Sequence, residues 1–175
     1  MVQIATTVAD KFYSIIYIPN VGVLVSRFGA LQLDKYNPTT RNLISSVAVP
    51  GPINEMIYIA SINEVWATQS TLNLIQRINP NTLALIGTIA IPGLQPTSLA
   101  YIPTLNEVWV NCQTSNDTHR VDVATNTVVG VPIALSSTSP QSVIQAPNGN
   151  VWVGMANAID VIDPTTFAII QTISI

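Results

Sequence analysis

EVWVNCQTSNDTHRVDVATNTVVGVPIA, residues 107–134, decides the fold. EVWVNC (107–112) is rich in β-branched and aromatic residues and reads as a strand. QTSNDT (113–118) is a polar loop, and HRVDV (119–123) is a further strand ended by an ATN turn. TVVGVPIA (127–134) is the last strand of the stretch, and Pro132 within it fits an edge position, where no ladder hydrogen bond is lost. Just upstream, SLAYI (98–102) and the turn PTLN (103–106) supply one strand more. The unit is therefore four short strands joined by hairpins.

The unit recurs along the chain. Trp66, Trp109 and Trp152 are spaced 43 and 43 residues apart, in EVWATQ (64–69), EVWVNC (107–112) and NVWVGM (150–155). A second landmark starts at Asn37, Asn79, Asp122 and Asp163, as NPTTRNLISSVAV, NPNTLALIGTIAI, DVATNTVVGVPIA and DPTTFAIIQTISI. A third opens the units at Tyr17, Tyr58 and Tyr101, with Gln145 in the fourth. Three landmarks at one period mean an internal repeat, and four strands per 43 residues is the length of a β-propeller blade. Apolar residues do not recur at helical spacing, and Pro or Gly interrupts each candidate helical window. The fold class expected is all-β, with blades at about 14–54, 55–97, 98–141 and 142–175. The Asn37, Asn79, Asp122 and Asp163 column is turn chemistry, because an Asx side chain accepts backbone N–H bonds two residues on.

At this point the chain resembles the YVTN-type β-propeller repeat. The residues that carry the resemblance are EVWVNCQTSNDTHRVDVATNTVVGVPIA and NVWVGMANAIDVIDPTTFAIIQTISI, and it extends over residues 14 to 175. The first unit, GVLVSRFGALQLDKYNPTT, lacks the Trp and matches less well. The family includes surface-layer, lactonase-like and adhesive or binding proteins, so the resemblance implies a fold and leaves the function open. Such propellers have seven or eight blades in one chain, whereas four are counted here. Each blade buries its faces against two neighbours. Closure therefore takes either a tight four-bladed ring or two chains forming one eight-bladed ring about a two-fold axis. VQIATTV, within residues 1–13, resembles a surplus outer strand that could pair across a chain boundary. The partner expected is thus a second copy, with a dimer favoured, beside room for another protein.

Composition excludes several functions. Apolar residues make up 48% of the chain and charged residues only 9%, against about 25% in an ordinary domain. The six cations (Lys11, Arg27, Lys35, Arg41, Arg77, Arg120) are scattered, so neither nucleic acid nor an anionic membrane surface has a footprint. No apolar run reaches the length of a membrane-spanning helix, and the N-terminus lacks the pattern of a signal peptide. Cys112 is the single cysteine and reads as a small buried apolar residue.

Few residues in the chain offer catalytic or metal-binding chemistry. His119 is the only histidine and reads as an exposed loop-edge residue, although Asp117 is nearby. One His and one Cys fall short of a zinc set, so no metal or other cofactor is expected. Channel-lining candidates are Ser14, Glu55, Ser98 and Ser142, at the starts of the inner strands. Glu64 and Glu107 read as strand-entry residues at a solvated hairpin, and Trp66, Trp109 and Trp152 as packing between blades. The expected function is accordingly a non-enzymatic, self-assembling structural or protein-interaction module, such as a phage capsid or tail component, on a virion or extracellular surface. The alternatives are a lactonase-like hydrolase, which the family resemblance implies, and a carbohydrate-binding adhesin.

Overall fold

The computed structural model describes residues 11–175, and the surplus strand expected within the first nine residues lies outside them. The described residues form sixteen strands grouped in four antiparallel sheets of four. The first sheet is β1 (Phe12–Ile18), β2 (Gly22–Arg27), β3 (Gln32–Tyr36) and β4 (Leu43–Ala48). The second is β5 (Ile53–Ile59), β6 (Glu64–Gln69), β7 (Leu74–Ile78) and β8 (Leu85–Ala90). The third is β9 (Pro96–Ile102), β10 (Glu107–Cys112), β11 (Asp117–Asp122) and β12 (Thr127–Ala134). The fourth is β13 (Ser142–Gln145), β14 (Val151–Gly154), β15 (Ala158–Ile162) and β16 (Ile169–Ser174). Within each sheet the strands lie in sequence order, so every connection is a short hairpin. Among the described residues no helix is long and apolar enough to cross a membrane.

The hairpins follow from residue chemistry. Asn20, Asn63 and Asn106 close the hairpin between the first two strands of their sheets with left-handed φ of 63°, 51° and 54°. Asparagine tolerates that region better than other residues with a Cβ. In the turn before each outer strand, Asn37 Oδ1 accepts from the N–H of Thr39 at 2.8 Å, and Asn79 Oδ1 from that of Asn81 at 2.9 Å. Asp122 Oδ1 accepts from Thr125 N–H at 2.7 Å, and Asp163 Oδ1 from Thr165 N–H at 2.8 Å. The N–H and hydroxyl of Thr125 hold Asp122, and the hydroxyl and N–H of Thr165 hold Asp163, below the usual carboxylate range. Pro132 lies in β12, which pairs only with β11.

The sheets stack face to face in sequence, with β1 beside β5, β5 beside β9, and β9 beside β13. Ile18, Leu24 and Leu33 of the first sheet pack on Met56, Val65 and Ala67 of the second. Ile59, Trp66 and Ile75 pack on Leu99, Val108 and Val110 of the third. Ala100, Ile102 and Trp109 pack on Val143, Val151 and Val153 of the fourth. An inner sheet is thus apolar on both faces. EVWATQ is accordingly buried at all six positions, which removes the alternation of a one-sided strand. The whole is a blade-like repeat of four packed sheets.

Candidate functional site

β10 ends at Cys112 and β11 begins at Asp117, and the two are register partners across the hairpin. His119 follows Asp117 by two residues, so both side chains project from the same face of β11. One donor atom from each of Cys112, Asp117 and His119 lies within 4.8 Å of the others. His119 Nε2 is 3.4 Å from Asp117 Oδ1, off hydrogen-bonding geometry, and it is buried with no hydrogen-bond partner. Asp117 Oδ1 accepts from Ser115 Oγ at 2.7 Å, and Ser115 Oγ accepts from Leu94 N–H at 3.1 Å. Burial first, then the Asp117 charge, pushes the Cys112 thiol up to about 12. The thiol alone is therefore no nucleophile at neutral pH.

Gly93 roofs the cluster. A Cβ there would lie 2.5 Å from Cys112 Sγ and 2.6 Å from His119 Nε2, so only glycine lets the backbone approach so closely. The roof is tied to the 113–116 loop by Gln113 N–H to the Gln95 carbonyl at 2.9 Å and Thr114 N–H to the Leu94 carbonyl at 3.2 Å.

His119 belongs to a column of buried polar residues on the third strand of each sheet: Asp34, Gln76, His119 and Asp160. Two of these are fully tied down. Asp34 accepts from Tyr36 Oη at 3.2 Å and Ser46 Oγ at 2.5 Å. Asp160 accepts from Ser136 N–H at 2.8 Å and Thr172 Oγ1 at 2.7 Å. His119 instead keeps a bare ring nitrogen aimed at a thiol and a carboxylate. A buried polar atom without a partner costs roughly 1–3 kcal/mol, so its retention asks for a ligand. Thiol, imidazole and carboxylate are the donors of a divalent transition-metal site, and an ion bound there would deprotonate the thiol outright.

The channel candidates occupy a different place. Ser14 Oγ accepts from Met56 N–H at 3.0 Å, joining β1 to β5. Glu55 Oε2 accepts from Leu99 N–H at 2.7 Å, joining β5 to β9, and burial raises its pKa against that bond. The Ser142 carbonyl accepts from Asn111 Nδ2 at 3.0 Å. Ser98 is buried, and its Oγ has no hydrogen-bond partner. Ser14, Glu55 and Ser142 thus link neighbouring sheets, and none of the four belongs to the Cys112 cluster.

Two sequence expectations need correction. His119 is 4% exposed and lies in the interior, because its strand is covered on both sides. Glu64 and Glu107 do not simply cap solvated strand entries. Each accepts from the tryptophan two residues on, Trp66 Nε1 and Trp109 Nε1, at 3.1 Å. Each also pairs with an arginine on the next strand, Arg77 at 2.7 Å and Arg120 at 3.2 Å. The sequence signal for the cluster was present, since Cys112 and Asp117 bracket one hairpin loop and His119 is Asp117 plus two.

No family model matches the chain, and no curated protein matches it. Solved structures do. Hydrazine synthase of Kuenenia stuttgartiensis matches with a TM-score of 0.83 at 16% identity, over 100% of this chain and 53% of that one. A catalytically inactive histidine-to-alanine variant of virginiamycin B lyase from Staphylococcus aureus, solved with quinupristin, matches with a TM-score of 0.79 at 17% identity. That match covers 97% of this chain and 57% of the lyase. A streptogramin B lyase matches with a TM-score of 0.76 at 15% identity, over 91% of this chain and 54% of that one. The chain spans about half the length of each, and the likeness is one of fold: a repeated four-stranded architecture shared with propeller-like lyases and a synthase, and not specifically a YVTN-type repeat. This overturns the expectation of a non-enzymatic structural protein or virion component. Solved enzymes share this fold, and the described residues bring Cys112, Asp117 and His119 together.

Proposed function

We propose that this protein is a metal-dependent hydrolase of the lactonase type, opening a cyclic ester at an ion held by Cys112, Asp117 and His119. The observation that carries the reading is the buried His119 Nε2, which has no hydrogen-bond partner and converges with Cys112 Sγ and Asp117 Oδ1. Cys112, Asp117 and His119 would hold the ion, which would supply Lewis-acid chemistry and an activated water. Net hydrolysis would add one water across the acyl carbon–oxygen bond of the ring, giving a carboxylate and an alcohol on one opened chain and releasing one proton. Substrate reaches the ion by displacement of the Gly93–Leu94 roof, whose hold on the 113–116 loop is a few exposed hydrogen bonds. The occurrence of lyases on this fold supports an enzymatic reading, and the position of the reaction rests on the Cys112, Asp117 and His119 geometry alone.

The same reading includes the finer architecture. The four sheets are YVTN-type blades, and the ring closes as eight blades when a second copy is added.

The test is turnover of a panel of cyclic esters by zinc-loaded protein. Activity that is lost in both His119→Ala and Cys112→Ser, with the fold kept by circular dichroism, is the expected result. Turnover that is absent across the panel, or unchanged in both variants, overturns the proposal.

A further inference from the structure

The two end faces of the stack are unlike the faces inside it. Trp66 and Trp109 are 0% exposed because the next sheet covers each of them. Trp152 occupies the same position in β14, yet no described sheet covers it and it is only partly buried. Its register partner Ile144 is 60% exposed. At the other end, Ile15 is 69% exposed, whereas its counterparts Met56, Leu99 and Val143 are 2%, 2% and 5% exposed. Tyr13, Ile15, Val25 and Tyr36 line an apolar hollow of about 400 Å³ on that face.

The polar residues around these faces carry the sharper information. The residue paired with Leu24, Trp66, Trp109 and Trp152 on the following strand is Lys35, Arg77, Arg120 and Val161. The first three are cations and the fourth is not. Two of the cations reach the turn of the next sheet: Lys35 Nζ donates to the Asn81 carbonyl, and the Arg120 guanidinium sits 3.5 Å from the centroid of the Phe167 ring. That turn has one repeated left-handed position, Arg41, Leu83, Asn126 and Phe167, with φ of 63°, 62°, 60° and 60°. Only the first sheet puts a cation there. The sheet that lacks a cation beside its tryptophan is thus the fourth, and the turn that carries one belongs to the first. Trp152 also lacks the glutamate of its counterparts, since Asn150 stands where Glu64 and Glu107 do, and its buried Nε1 has no hydrogen-bond partner.

We infer that the fourth sheet is the docking face for the first sheet of a second copy of this chain, with Arg41 of one copy lying over Trp152 of the other. This rests on the two-chain ring stated above and adds its contact. It continues the internal interface with the cation and the aromatic ring exchanged: Arg120 over Phe167 inside the chain, Arg41 over Trp152 between chains. Ile144 and Trp152 fill the hollow beside Ile15. Two such junctions, related by a two-fold axis, make one closed ring. An indole is the best aromatic partner for a guanidinium, so the exchange keeps the attraction.

Light scattering across a concentration series, on the wild type and two variants, tests the inference. The wild type is expected at twice the chain mass. Arg41→Glu, a change on an exposed turn, is expected to raise the dissociation constant roughly tenfold or more. The double variant Arg41→Phe with Val161→Arg rebuilds the Arg120–Phe167 arrangement at the junction and is expected to restore association. A wild-type dimer whose dissociation constant is unmoved by Arg41→Glu overturns the Arg41–Trp152 contact and leaves the ring standing. A wild type at single-chain mass throughout, or one that associates only with a different protein, overturns the ring and the contact together.

Discussion

The Arg120 guanidinium lies 3.5 Å from the centroid of the Phe167 ring, crossing from the third sheet to the fourth. It is held there by Glu107, 3.2 Å away, and by Gly130, where a Cβ would sit 2.2 Å from Arg120 Nη2. Gly130 also has a left-handed φ of 68° inside β12, at the irregularity that lets Thr118 pair with Ile133 and Arg120 with Val129. Phe167→Leu keeps apolar volume and removes the ring. It should cost about 1 kcal/mol in urea unfolding, and Gly130→Ala should cost more because it displaces the arginine and strains the backbone.

The second sheet holds the matching group without the stacked ring. Arg77 binds Glu64 through two nitrogens, at 2.8 and 2.7 Å, and this holds the Glu64 carboxyl below its usual range. A carboxylate with a lowered pKa stabilises the fold above its unfolded pKa, and that stability is lost as pH falls through the folded value. Glu64→Gln should therefore lower stability by about 2 kcal/mol at neutral pH, with the gap to wild type closing in acid. Denaturant midpoints measured at neutral and acidic pH check this.

Glu55 has the opposite sign. Burial raises its pKa, and the Leu99 N–H only partly opposes that. The folded state then binds the proton more tightly than the unfolded state. Stability should fall as pH rises from about 4 through the raised folded value, and Glu55→Gln should flatten that slope. Glutamine keeps an oxygen for Leu99 N–H, so the variant should be at least as stable as wild type at neutral pH. Thermal midpoints across this pH window are the measurement.

Gly93→Ala tests the roof. The methyl would meet Cys112 Sγ and His119 Nε2 at 2.5 and 2.6 Å. The roof must lift or the cluster must spread, at a cost of about 1–3 kcal/mol, and zinc affinity measured by competition with a chelator should drop with it.

Much of this architecture was legible because repetition multiplies weak signals. Trp66, Trp109 and Trp152 at equal spacing, with an Asx turn after each and a fourth such turn at Asn37, fix four sheets where a single EVWVNC would fix only one strand. Burial of the polar column was not legible. A one-sided strand would turn His119 or Asp160 to water, and only the stacking of sheets on both faces makes such residues internal. The cluster escaped for the same reason. Cys112, Asp117 and His119 meet because Cys112 and Asp117 are exact register partners, and a shift of one residue would send His119 to the other face. The Glu–Trp–Arg groups were hidden because Arg77 and Arg120 are 13 residues from the glutamates they bind, and only the strand pairing brings them together.

The central claim is that Cys112, Asp117 and His119 hold a divalent metal ion. Titration of the protein with cobalt(II), followed in the visible and near-ultraviolet, tests it most directly. One equivalent should bind, with the intense bands of a four-coordinate ion and a thiolate charge-transfer band that vanishes in Cys112→Ser. A spectrum no different from cobalt in buffer, or one unchanged by Cys112→Ser and His119→Ala, would contradict it.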